Sequence, residues 1–117
     1  MRKIILLATC LLPVVSLADE ATAKASMEAH SACIVQAYDR FKNTSAEPGD
    51  IADAVIGKCD QARESMYREY RDFMLSKTSG SAKAQKQADA IINRRRQSDV
   101  EQDRRYVIGW VLEDRSR

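Results

Sequence analysis

The stretch AHSACIV, residues 29–35, sets His30 three positions before Cys33, one helical turn apart and on one face. Met27 lies one turn further back, and Cys59 supplies a second thiol. Two chemistries suit these residue types. Thiolate, thioether and imidazole donors together select a soft metal, monovalent copper above all, so a metal carrier would use Met27, His30, Cys33 and Cys59. Alternatively, Cys33 and Cys59 join as a disulfide, and His30 is an ordinary packed side chain.

The compartment bears on the choice. Arg2 and Lys3 precede an apolar run over residues 4–15, and Ser16-Leu17-Ala18 closes it with a small-x-small pattern. This is the layout of a secretory signal peptide. The expectation is cleavage near Ala18, leaving residues 19–117 as a single helical domain in the periplasm or outside a bacterial cell. The run is shorter than the ~20 residues a membrane span needs, and no later stretch approaches it. No transmembrane span is therefore expected in the mature chain. Cys10 falls in the leader, so two cysteines remain, an even number in an oxidising compartment. A disulfide is favoured.

The formal charge of +2 comes from Arg2 and Lys3, since residues 19–117 carry 17 basic and 17 acidic side chains. Mild basicity is thus a targeting feature, and with zero net charge on an exported chain no nucleic-acid partner is expected. The signs are unevenly spread. Residues 19–82 hold 8 positive and 11 negative charges, and residues 83–117 hold 9 and 6. Two such halves attract one another, or the second faces an anionic partner.

Proline is absent after Pro48, glycine is sparse, and the chain is rich in strong helix formers. Met27, His30, Ile34, Ala37 and Phe41 keep the three-four rhythm of one helical stripe. Val55, Cys59, Ala62, Met66, Tyr70 and Phe73 keep it again. Helices are expected at about 21–43 and 50–77, separated by the turn NTSAEPGD, with Asp50 as a cap. TSGS ends the second, with Gly80 closing it and Ser81 opening the next. Beyond lie two more helices, 82–97 and 99–115. Ser98 and Glu101 match a capping box, and one continuous helix of about 50 Å would overhang the hairpin beside it. The segment YVIGWVL, residues 106–112, is expected to be a buried helical end packed on the hairpin.

The hairpin tests the cysteine pairing. Cys33 lies ten residues before Asn43 and Cys59 nine after Asp50, so at ~1.5 Å per residue the thiols stand level across the turn. Packed helices bring facing positions within reach of the ~5.5 Å between alpha carbons that a disulfide needs. The same register sets Met27 against Met66 and Phe41 against Ile51, apolar on apolar. The fold expected is all-α: a disulfide-clamped antiparallel helical hairpin with one or two further helices, a three- or four-helix bundle.

Catalytic signatures are missing. There is no G-x-S-x-G elbow, no H-E-x-x-H, no phosphate loop and one histidine. The acidic pairs Asp60 with Glu64 and Asp99 with Asp103 read as surface neighbours one turn apart. No enzyme activity and no cofactor are expected. The function expected is a non-catalytic interaction or structural module of the cell envelope. Its partner, another envelope protein or an anionic surface, would be met through Arg94, Arg95, Arg96, Arg104 and Arg105, or through Tyr106 and Trp110. The competing expectation is the periplasmic soft-metal carrier.

Overall fold

A computed structural model describes residues 15–117 as four helices, α1 Val15–Phe41, α2 Pro48–Lys58, α3 Asp60–Ser76 and α4 Ala82–Arg115. The targeting segment expected over residues 1–18 falls, up to residue 14, outside the described residues. The most extensive interfaces join α1 to α3 and α2 to α4. No helix among the described residues is long and apolar enough to cross a membrane.

The cysteines form the clamp. Cys33 of α1 is bonded to Cys59 with alpha carbons 5.8 Å apart, which fixes the first arm of the hairpin against the second. Closing a loop of 26 residues restricts the unfolded chain by roughly 3.5 kcal/mol on loop-closure entropy.

The second arm is not one helix. Cys59 adopts φ −104° and ψ 14°, the sparsely populated bridge between helix and strand, and serves as both the end of α2 and the start of α3. A break in a helix orphans a carbonyl. Here the Ile56 carbonyl keeps only a tight bond from the Cys59 amide at 3.1 Å, and the buried guanidinium of Arg63 adds a second donor at 3.2 Å while Arg63 Nη1 meets Asp60 Oδ1 at 2.6 Å. The apolar period runs through the break unchanged, because a kink of one residue leaves the stripe on the same side. That is why periodicity predicts a single helix here. At the start of α2 the cap expected at Asp50 lies one turn inside. Pro48 opens the helix behind an extended Glu47, where a missing N–H costs nothing, and Asp50 sits in the first turn.

Residues 82–115 are one helix of 34 residues, not two. Ser98 and Glu101 are exposed on its interior, where capping residues do not have to cap. The overhang that argued for two helices does not arise. Successive parts of the second arm, α2 and α3, lie along α4 and support its two halves. Val107 and Val111 reach the core formed with α2, and Ala88 lies near Met74 and Leu75 of α3. Ser81 caps this helix by accepting from the Ala84 amide at 3.2 Å, and Gly80 turns into it at φ +69°, a left-handed conformation that disfavours a side chain.

The apolar core sits at one end of the bundle. Ile34, Ala37 and Tyr38 of α1 pack with Ile51, Ala52 and Val55 of α2, Cys59, and Val107 and Val111 of α4. YVIGWVL therefore packs back on the hairpin as expected, with Trp110 tilted against Tyr38 at 5.3 Å between ring centres. Tyr38 donates to the carboxylate of Asp114, and Arg115 donates to the carbonyls of Thr44 and Ala46, pinning the end of α4 to the interhelical turn.

Candidate functional site

Halfway along the bundle the interior turns polar. His30 of α1, Arg63 and Tyr67 of α3, and Asp99 and Asp103 of α4 meet where an apolar layer would otherwise continue. Helical spacing puts them there. His30 lies one turn before the apolar Ile34, and Asp99 and Asp103 lie two turns and one turn before Val107.

Tyr67 donates to Asp99 Oδ2 at 2.8 Å, and burial together with this bond raises its hydroxyl pKa above the ordinary value. His30 and Asp103 do not complete such a bond. Their nearest atoms, Nε2 and Oδ2, stand 3.6 Å apart, beyond hydrogen-bond geometry, and each is buried with no partner. Burial lowers the His30 pKa below 6.5, with Arg63 pushing the same way and Asp103 and Asp99 opposing, so the imidazole is neutral at pH 7. Burial raises the Asp103 carboxyl above 3.8, against the pull of His30 and Arg63. Buried polar atoms are nearly always paired, so these two side by side, with the equally unpaired Nε of Arg63, are an exception that calls for an explanation.

A cleft of about 290 Å³ opens onto this pair between α1, α3 and α4. Met27, Met66, Tyr70 and Tyr106 wall it, and Arg95 lies at its edge with its guanidinium 5.3 Å from the centre of the Tyr70 ring. Met27 and Tyr106 are 45% and 55% exposed, large apolar surfaces left uncovered at the mouth.

Each residue singled out in the sequence has a place. Of the metal set, Met27 and His30 line the cleft, but Cys33 and Cys59 are bonded to one another and neither sulfur is a thiolate. The arginines do not form one basic face. Arg96 meets Glu64 at 3.0 Å and covers the Tyr67 ring, and Arg104 meets Asp53 at 3.0 Å. These two pairs join a base of the second half to an acid of the first, whereas Arg71 on Asp89 at 2.7 Å pairs them the other way round. Arg94 and Arg105 have no ion-pair partner among the described residues. Trp110 is half-buried on Tyr38, whereas Tyr106 reaches the cleft.

Sequence reasoning missed Arg63, Tyr67 and Tyr70, and it took Asp99 and Asp103 for surface neighbours. The correction has a simple cause: i,i+4 carboxylates look alike on any face, and only the path of the neighbouring helices decides which face is covered. One signal was present. Asp99, Asp103 and Tyr106 share the spacing of the buried Val107 and Val111 stripe extended backwards. Tested against protein-family models, curated proteins and solved structures, the chain matches none of them.

Proposed function

We propose that this chain is an exported, non-catalytic binding module of a bacterial cell envelope, whose partner seats in the cleft between α1, α3 and α4. One observation carries the reading. The buried and unpaired His30 and Asp103 atoms lie at the cleft, beneath walls of methionine and tyrosine. Apolar walls with a few convergent polar groups are the ordinary make-up of a ligand site, the walls giving area and the polar atoms orientation. What supports the cleft over a basic face is that Arg96 and Arg104 already pair with carboxylates of the same chain and Arg95 lies on Tyr70. The Cys33–Cys59 bond accords with an oxidising compartment.

A photo-crosslinking residue at Tyr106, in protein expressed in its own cell envelope, tests this. The expected result is one discrete adduct, read by mass, that disappears when Ser31→Trp fills the cleft and that is absent for the same probe at exposed Glu20. Adducts that ignore Ser31→Trp, or no adduct at all, would overturn the reading. The mass of the same material also reports whether the chain begins after Ala18.

A further inference from the structure

We infer that the cleft is a receptor for a primary alkylammonium group, whose three N–H bonds go to Asp103, His30 and Asp99 and whose alkyl stem lies between Met27, Met66 and Tyr70. This rests on the cleft being the binding site, and it names what the cleft takes.

The polar atoms at the floor of the cleft are acceptors. Asp103 Oδ2 accepts only, and it has no partner. His30 Nε2 is bare of partners too, its side chain is 9% exposed, and in a neutral ring with the proton on the other nitrogen it accepts. Asp99 uses Oδ2 for the Tyr67 hydroxyl, and its carboxylate has a second oxygen able to accept. Tyr67 has spent its hydrogen on Asp99. The residues lining the cleft floor therefore offer three acceptors. A hydroxyl brings one hydrogen and would serve one of them. An anion would meet two carboxylates. An ammonium brings three hydrogens and a positive charge, which matches the set.

The walls agree. Tyrosine faces attract cations through the ring quadrupole, and both rings nearest the floor already hold one of the chain's own guanidiniums, Arg95 on Tyr70 and Arg96 on Tyr67, each at 5.3 Å. Thioethers of Met27 and Met66 adapt to a flexible methylene chain. Arg63 also holds a buried unpaired donor, Nε, but its guanidinium is met by Asp60 at 2.6 Å and the Ile56 carbonyl at 3.2 Å, and it does not line the cleft. Arg95 stands at the edge as a competitor for the incoming charge, so removing it strengthens binding. That expectation is the reverse of what an anion-binding arginine would give.

Calorimetric titration of the oxidised protein at low salt, with 1,5-diaminopentane and with the amide of Gly-Lys-Gly, is the test. One-site saturable binding of at least one amine is expected, at least tenfold tighter than tetraethylammonium, which has no N–H to give. Arg95→Ala, on an exposed position that the fold does not need, should tighten it several-fold. Asp103→Asn should weaken it at least tenfold with helical content unchanged. Preference for the diamine or for the lysine peptide tells whether the ammonium arrives free or on a protein. Saturation by neither amine in both wild-type and Arg95→Ala protein, or stronger binding of butyrate, would overturn the inference. The two readings fail separately. An adduct at position 106 that excess diaminopentane does not suppress sinks the ammonium site and leaves the cleft, whereas loss of the adduct altogether sinks the cleft.

Discussion

The two halves of this bundle solve the same problem with different materials. At one end, Ile51, Val55, Val107 and Val111 are buried essentially completely in an aliphatic cluster, roofed by Tyr38 and Trp110. Halfway along, where α3 takes the place of α2, the helices turn inward a histidine, an arginine, a tyrosine and two aspartates, with His30 and Asp103 carrying unpaired atoms side by side. The apolar end explains why the chain folds. The polar layer explains nothing about stability, since unpaired buried polar atoms cost free energy that an aliphatic layer of the same size would not. The binding proposed for the cleft would offset that cost.

The comparison can be broken by stability measurements. The largest loss is expected on reduction of Cys33–Cys59 or its replacement by serines, about 3.5 kcal/mol by urea denaturation, because the clamp joins the two regions. Ile51→Ala, at the apolar end, should cost about 3 kcal/mol for the lost side chain and the cavity it leaves. The polar layer should behave in the opposite way. His30→Leu with Asp103→Leu should be neutral or stabilising by about 1 kcal/mol, as replacement of an imperfect buried pair by apolar groups generally is. A cost as large as that of Ile51→Ala would make the layer structural and the comparison empty.

Titration reads the acid side of the polar layer through His30 and Asp103. The His30 pKa is lower in the folded chain than its unfolded value of 6.5, so as pH falls below 6.5 the unfolded chain takes the proton first. Stability is lost until the folded pKa is passed. Asp103 works in the other direction, its raised carboxyl returning stability as pH falls through its folded pKa toward 3.8. Both responses should vanish in the double leucine variant. At the apolar end, burial and the bond to Asp114 push Tyr38 up to about 12 from 10.0. There the unfolded chain loses its proton first, and stability falls as pH rises from 10 through about 12. Tyr38→Phe should shrink that alkaline limb, followed by helical circular dichroism against pH, and leave the share contributed by Tyr67, whose hydroxyl is raised by burial and its bond to Asp99.

The smallest effects concern α4. Ser81→Ala should cost about 1 kcal/mol, as loss of a true cap does, and Ser98→Ala should change stability by less than about 0.5 kcal/mol, as an exposed helix interior does. Similar losses at both positions would restore a second helix start at residue 98.

The sequence makes the apolar end readable because apolar periodicity and thiol spacing are local, redundant signals. Ile34, Val55 and Val107 each repeat the same message, and the level of Cys33 and Cys59 follows from counting residues out from one turn. The polar layer is carried by single residues whose partners lie far along the chain, Tyr67 on Asp99 and His30 near Asp103. Nothing local distinguishes Asp103 from the other acidic residues of α4, or Arg63 from any exposed arginine. The break at Cys59 and the continuity through Ser98 fail for a related reason. Capping and kinking depend on whether an orphaned carbonyl finds a donor, and in both places the answer lies on a neighbouring turn or a neighbouring helix.

Placing α4 last in the chain has a consequence for assembly. Every wall of the cleft on α1 and α3 belongs to residues 27–70, which can meet as soon as the hairpin closes, whereas Arg95, Asp99, Asp103 and Tyr106 arrive only when the final helix docks. Such distant pairings form late, because the loop entropy is spent before the contacts reward it. A half-finished molecule, already cross-linked and largely helical, would therefore lack the α4 side of the proposed site, and occupancy of the cleft would count only chains that have completed the last step.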